Sequence, residues 1–142
     1  MSARAAVVWS AGYRCDIGLH VFPVEKYERV RDALESAGDL READLLEPPP
    51  ATRELLQLAH EPAYLDDLEA LRWTPRTMYS ELPLEADIVG AFSLAASGTT
   101  LAAREALVRG ATAHVGGGLH HAYAGHAEGF CYINDLAVAL IG

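Results

Sequence analysis

Basic residues are scarce in this sequence. Its 142 residues include 11 Lys and Arg against 20 Asp and Glu, which gives a formal net charge of −9, and Lys26 is the only lysine. Proteins that bind nucleic acids need clustered Lys and Arg to neutralise phosphates, so the composition argues against a nucleic-acid partner. An acidic surface favours cationic partners instead, although net charge also serves solubility.

Cysteines and long apolar runs are few as well. Cys15 and Cys131 are too few and too far apart for a disulfide framework or a paired-cysteine metal site. The apolar run at residues 5–9 is too short for the core of a signal peptide. No apolar run approaches the roughly 20 residues of a membrane span. We therefore expect a protein of the reducing cytoplasm without a membrane partner.

Hydrophobic residues are plentiful, at 51% of the sequence against 22% charged residues, which is enough to bury the core of one domain. Apolar and β-branched segments indicate strands, and apolar spacing of three to four residues indicates helices. The predicted strands are 4–10, 43–47 and 111–115, and the predicted helices are 24–37, 53–59, 62–71, 84–109 and one that starts at 134. This order predicts an α/β fold with a mainly parallel sheet flanked by helices.

Several local signals predict side-chain positions within these helices. Thr52 is the expected N-cap of the second helix, and Gly110 is the expected end of the long helix. Gly90 and Gly98 predict that the long helix approaches the sheet closely. The residues expected to pack inward are Tyr27, Val30 and Leu34 in the first helix, and Leu55, Leu56 and Leu58 in the second.

The most informative stretch runs from Thr112 to Leu140. A short strand is followed by the glycines 116–118, by the tandem histidines His120 and His121, and by a loop that leads into an apolar helix. Glycines after a strand let the backbone approach a ligand, and a histidine at a sheet edge is the usual general acid or base. A histidine pair on its own is more often surface or core filling. A metal site formed by His114, His121 and His126 is not favoured either, because their spacing matches no recognised site.

The residues around the histidine pair carry a family resemblance. The segments GGGLHHA and GFCYINDLAVA resemble the tandem-histidine motif of the histone deacetylase superfamily, and HVFPVEKY at residues 20–27 is similar to a segment of many bacterial members. This superfamily of zinc-dependent deacetylases includes acetoin-utilisation proteins and acetylpolyamine amidohydrolases. The resemblance implies a three-layer, arginase/deacetylase-like fold, of which residues 1–142 would be the N-terminal part of a single domain.

The resemblance also implies roles for individual residues. His121 would be the general base and His120 its more buried partner, while Gly129 and Phe130 would line the substrate tunnel. The residues implied at the tunnel mouth are Tyr13, His20, Phe22 and Glu81. Alternative interpretations stay open: Tyr13 and Phe22 as packing over the sheet edge, Glu81 as a solvated loop acid, and Cys131 either near the acetate pocket or as a structural thiol. His60 is interpreted as structural.

Zinc is the implied cofactor, but the family's ligands and its oxyanion-stabilising tyrosine are expected beyond Gly142. No residue of this chain is therefore predicted as a metal ligand. Two hypotheses follow. In the first, the chain is the N-terminal part of a deacetylase that hydrolyses acetylated lysine or polyamine-like substrates and is inactive alone. In the second, it is a non-catalytic fragment or degenerate domain that acts in assembly or binding.

Half of a parallel sheet exposes an apolar edge, so we expect a homo-oligomer or a second chain that completes the sheet.

Overall fold

A three-stranded parallel sheet forms the centre of the computed structural model, which describes residues 4–142. The strands are β1 (Ala6–Val8), β2 (Leu45–Leu46) and β3 (Thr112–His114), in the order β2-β1-β3. In the register, Val8 of β1 lies opposite Leu46 on one side and His114 on the other. The chain therefore leaves β1 and β3 at the same edge of the sheet, which is where the histidine segment begins.

Within the described residues, five α-helices accompany the sheet and confirm the predicted α/β class. They are α1 (Lys26–Ser36), α2 (Arg53–Leu56), α3 (Pro62–Glu69), α4 (Ala86–Arg109) and α5 (Asp135–Ile141). Each lies within a predicted helical segment, and its ends differ from the predicted ones by at most three residues. The longest difference is in α2, which is a single turn because the chain bends at 57–60 to enter α3.

Helix α4 is the central element of the packing. It contacts β1, β3 and α5, and its inward side chains include the fully buried Ile88 and Ala96. With 24 residues, α4 is long and apolar enough to cross a membrane by length and composition alone, so the expectation that no segment reaches that length is wrong. A core helix meets the same criteria, and half of the apolar window of α4 is buried.

Two local predictions at helix ends are confirmed. The Thr52 side chain accepts a hydrogen bond from the backbone N–H of Leu55, which is the geometry of an N-cap. Gly110 ends α4 with a φ of 89°, a conformation that costs glycine little. The close helix-to-sheet approach is confirmed at Gly98 only, because a Cβ there would meet the His114 ring at 2.5 Å whereas one at Gly90 would meet nothing.

The inward-facing residues of α1 and α2 are predicted less well. Val30 is 46% exposed and Leu58 is 42% exposed, so the prediction that both pack inward is wrong. Helix α1 lies at the margin and buries no residue fully, while Leu58 follows the end of the short α2 and turns outward. Leu56 is buried as predicted, and it joins the core together with Tyr64 and Ile88.

Candidate active site

The tandem histidines lie on the loop that follows β3. Gly116 and Gly118 have φ values of 154° and 88°, and these turns carry the chain from the sheet edge to His120. The two imidazole rings have centroids 4.4 Å apart, and Nδ1 of His120 lies 3.0 Å from the Gly118 carbonyl oxygen. Both histidines are exposed in this chain, and that His120 is the more buried partner stays a prediction.

The start of α5 holds this loop in place. Asn134 caps α5 by accepting from the Ala137 N–H at 2.9 Å, and its Nδ2 donates to the carbonyl oxygens of His120 at 3.1 Å and Ala122 at 2.9 Å. The only asparagine of the chain thus serves the helix and the histidine loop at once. Because the amide group both accepts and donates, no other side chain of this size and shape could satisfy all three contacts.

Asp135 is a functional residue whose role sequence reasoning missed. Its side chain is fully buried, and its two carboxylate oxygens accept from the backbone N–H groups of Gly118 at 2.9 Å and Leu119 at 2.7 Å. From the sequence alone, an acid at the start of an apolar helix indicates only a favourable interaction with the helix dipole. A signal was available, since an acid inside an otherwise apolar helix requires a buried partner.

Gly129 lies against His121, and Phe130 follows it in the chain. Gly129 and Phe130 both have a left-handed backbone, with φ values of 54° and 63°. A Cβ added to Gly129 would lie 2.8 Å from the Cβ of His121, so the absence of a side chain is what lets the two backbones approach. The Phe130 N–H donates to the Ser80 carbonyl oxygen at 2.9 Å, which ties this segment to the loop before α4.

The predicted tunnel-mouth residues are only partly brought together. The His20 ring packs edge-on against Phe130, with centroids 4.7 Å apart, and the Phe22 ring lies 6.5 Å away. Glu81 is exposed and follows Ser80, whose carbonyl oxygen accepts from the Phe130 N–H, so it lies near Phe130. Its φ of 61° marks a sharp turn at that position.

Tyr13 is placed in the core and not at a tunnel mouth. Its side chain is 4% exposed, and its ring lies directly beneath Gly116, where a Cβ would collide with it. Its hydroxyl lies 2.8 Å from Nε2 of His114, and burial raises the pKa of the phenol. Of the two interpretations drawn from the sequence, the structure therefore agrees with packing over the sheet edge.

Two further titratable groups near the loop are buried. Cys131 is 3% exposed, and burial raises the pKa of its thiol, so the thiol stays protonated at neutral pH. His60 is 3% exposed, accepts from the Asn134 N–H at 3.1 Å through Nε2, and has a pKa lowered by burial. His60 is thus structural, as interpreted from the sequence.

The residues present do not fit a metal ion by themselves. Within the described range 4–142, no three His, Cys, Asp or Glu side chains come together as a metal site. His114 is already engaged, since its two ring nitrogens lie 2.8 Å from the Tyr13 hydroxyl and 2.9 Å from the Thr99 hydroxyl. What the arrangement does offer is an exposed imidazole, His121, which lies against Gly129. An exposed imidazole suits proton transfer to a bound substrate.

Comparison with known proteins identifies the family. Residues 20–141 match the family model of the histone deacetylase domain. The chain is 35% identical over 121 residues to an uncharacterized protein of Picosynechococcus sp., covering 84% of this chain and 40% of that protein. It is 31% identical over 133 residues to the acetoin utilization protein AcuC of Bacillus subtilis, covering 85% of this chain and 34% of AcuC.

A solved structure gives the same result. A crystal structure of a histone deacetylase homologue from Aquifex aeolicus superposes with a TM-score of 0.75 at 27% identity, over 96% of this chain and 40% of that one. The chain thus spans 40% or less of the length of each of these relatives. The matched part contains the histidine pair, Gly129, Phe130 and the start of α5. The chain therefore belongs to the histone deacetylase family.

Proposed function

We propose that this chain supplies the histidine half of a deacetylase active site that hydrolyses the acetyl-amide bond of acetylated lysine or of an acetylated polyamine. Residues 1–142 would form the N-terminal part of a single deacetylase domain in the cytoplasm. The observation that carries the proposal is the approach of His121 to Gly129, the residue before Phe130, with 2.8 Å between the His121 Cβ and the position of a Gly129 Cβ. In this proposal, the proton acceptor lies next to the segment whose Phe130 side chain binds the substrate stem.

The side chains divide the chemistry among them. His121 takes a proton from the attacking water and returns it to the leaving amine. Phe130 packs against the methylene stem of the acylated amine, and Glu81 accepts from the N–H groups of the substrate backbone at the rim. His120 has Nδ1 directed at the Gly118 carbonyl oxygen, so its neutral form carries the proton on Nδ1 and leaves Nε2 free to accept.

The metal requires residues from outside this part of the chain. The histone deacetylase family is generally zinc-dependent, yet the described residues 4–142 bring together no set of ligands. We propose that zinc is held by residues that this stretch does not contain, on the same or a second chain. The 142 residues alone are then expected to show no hydrolysis.

A specific feature favours the second candidate function, assembly with another chain. Strand β3 pairs only with β1 among the described strands, so one of its edges is free. Large apolar side chains are exposed at the ends of the helices that accompany it, with Leu107 of α4 89% exposed and Leu140 of α5 86% exposed. An open parallel strand edge, together with exposed leucines on α4 and α5, favours a second copy or a complementary chain that completes the sheet.

The test is hydrolysis of a fluorogenic acetyl-lysine substrate and of an acetylated polyamine. We expect no activity from the purified chain, with or without zinc. We expect activity from a chimera in which residues 20–141 replace the matched stretch of Bacillus subtilis AcuC. In that chimera, His121→Ala should lower kcat by at least about 100-fold, the lower end of general-base effects, whereas the matched control His126→Ala should retain activity.

Two results would count against the proposal. A chimera that folds and binds zinc but hydrolyses neither substrate would contradict the deacetylase function. Hydrolysis by the chain alone, lost in His121→Ala, would contradict the incomplete site and show that 142 residues suffice, with a metal held between copies.

A further inference from the structure

A row of four hydrogen-bonded side chains runs from the turn at Ala11–Tyr13, which follows β1, to helix α5. The Tyr13 hydroxyl lies 2.8 Å from Nε2 of His114, and Nδ1 of His114 lies 2.9 Å from Oγ1 of Thr99. Thr99 Oγ1 lies 2.5 Å from Oδ2 of Asp135. The row joins residues from four separate elements of the chain and ends on the carboxylate that holds the histidine loop.

The chemistry of the groups gives every bond in the row a direction. A carboxylate can only accept, so the single hydroxyl hydrogen of Thr99 is donated to Asp135. Thr99 Oγ1 can then only accept from His114, which places the ring proton on Nδ1. Burial lowers the pKa of His114 to about 4, so Nε2 carries no proton at neutral pH and accepts from Tyr13.

Two glycines make room for this row. A Cβ on Gly98 of α4 would lie 2.5 Å from Nε2 of His114, at the junction with Tyr13. A Cβ on Gly117 would lie 2.6 Å from Nδ1 of His114 and 2.6 Å from Oδ2 of Asp135, at the other junction. Each junction of the row is therefore packed against a glycine backbone, where a side chain would collide with the bonded groups.

We propose that His114 is a positioning residue for the histidine pair: as a neutral Nδ1–H tautomer it orients the Thr99 hydroxyl toward Asp135, which holds the loop ahead of His120. Asp135 accepts from the N–H groups of Gly118 and Leu119, the two residues that immediately precede His120. Any effect of this row of hydrogen bonds on catalysis rests on the proposed function. The positioning itself is a property of the folded chain and can be measured without activity.

The first test is nuclear magnetic resonance of the ¹⁵N-labelled chain at pH 7. We expect the ring nitrogens of His114 to report a neutral imidazole with the proton on Nδ1. Thr99→Val removes the hydroxyl at nearly constant volume, and we expect amide exchange at Gly118 and Leu119 to accelerate about tenfold, the loss of one hydrogen bond to a charged group. The ring resonances of His120 and His121 should shift as well.

Two further variants separate positioning from general destabilisation. Thr99→Ser restores the hydroxyl and should restore slow exchange at Gly118 and Leu119. Thr100→Val is the matched control, since Thr100 is also buried in α4 but donates to the Ala96 carbonyl oxygen within its own helix. That variant should leave the resonances of the histidine loop in place.

The proposal is overturned if His114 carries its proton on Nε2 or is charged at pH 7. It is overturned equally if Thr99→Val and Thr100→Val affect the amides of Gly118 and Leu119 alike, or if a folded Thr99→Ser fails to restore them. In the AcuC chimera, Thr99→Val should lower kcat with little change in KM. An inactive chimera would leave the resonance results standing, so failure of the deacetylase function is distinguishable from failure of the positioning role.

Discussion

The backbone N–H of Asn134 donates to Nε2 of His60 across 3.1 Å, which joins the segment between α2 and α3 to the first turn of α5. Nε2 of His60 can accept this bond only while it carries no proton. Burial lowers the pKa of His60 below its ordinary value of 6.5, in agreement with that requirement. The bond therefore couples the position of α5 to the protonation of a buried histidine.

Stability should depend on pH through His60. Below pH 6.5 the unfolded chain binds a proton that the folded His60 resists, so the free energy of unfolding should fall as pH drops through that value. Urea unfolding between pH 7.5 and 5 measures this slope. His60→Leu should cost about 1–3 kcal/mol at pH 7.5, the cost of a lost buried hydrogen bond, and show a shallower slope.

In His60→Leu, the free energy of unfolding should still depend on pH because a second buried histidine remains. Burial lowers the pKa of His114 to about 4, so His114 should continue to reduce stability as pH falls from 6.5 toward 4. The prediction fails if the free energy of unfolding depends on pH with the same slope in the wild type and in His60→Leu. That result would mean that His60 binds its proton equally well in the folded and in the unfolded chain.

Asn134 should show separable effects on helix α5 and on the histidine loop. Asn134→Asp keeps the acceptor that caps α5 but removes the donors to the carbonyl oxygens of His120 and Ala122. Its α5 amides should stay protected from hydrogen exchange while the His120 ring resonances move. Asn134→Ala removes both functions and should cost about 1–3 kcal/mol in urea unfolding.

Thr52→Ala provides the control for the cap alone. Thr52 caps α2, so its loss should cost about 1 kcal/mol without moving the resonances of His120. If the ring resonances of His120 stay in place in Asn134→Asp, as they should in Thr52→Ala, then the contacts of Asn134 with the two carbonyl oxygens do not position the loop.

Gly129→Ala should displace His121. The substitution adds a Cβ 2.8 Å from the His121 Cβ and forces alanine into a φ of 54°, and strain of this kind costs about 1–3 kcal/mol. Gly38→Ala is matched in backbone, with a φ of 75°, but its Cβ would meet nothing within 4 Å. The difference between the two variants in urea unfolding isolates the clash.

The resonances of His121 distinguish the outcomes. Gly129→Ala should shift the His121 ring signals and Gly38→Ala should leave them in place. Equal stability loss in both variants, with unmoved His121 signals, would mean that the glycine is required for backbone conformation only.

Assembly should depend on the exposed leucines of α4 and α5. We expect the purified chain to elute as a dimer or larger species in size-exclusion chromatography with light scattering. Leu140→Glu should shift it toward monomer, because a charge cannot be buried unpaired in an interface. Leu19→Glu is the control, since Leu19 is fully exposed in the loop between β1 and α1. A wild-type monomer at micromolar concentration would contradict the prediction.

Sequence signals were reliable where a local rule sufficed. Thr52, Gly110 and the glycines after β3 occupy positions that capping and left-handed backbone require, and these rules involve only neighbours in the chain. The helix faces were less reliable. Val30 fits an apolar stripe as well as Leu34 does, and only the position of α1 at the margin of the molecule leaves Val30 exposed.

The sequence by itself determined the α/β class, the order of the elements and the segment that carries the histidine pair, because periodicity, capping and glycine turns act over a few residues. Only the tertiary structure decided that Tyr13 is a core residue bonded to His114, 101 positions later, and that Asp135 holds the loop before His120. Burial and hydrogen-bond partners at such separations depend on how the elements pack, and no local pattern records them.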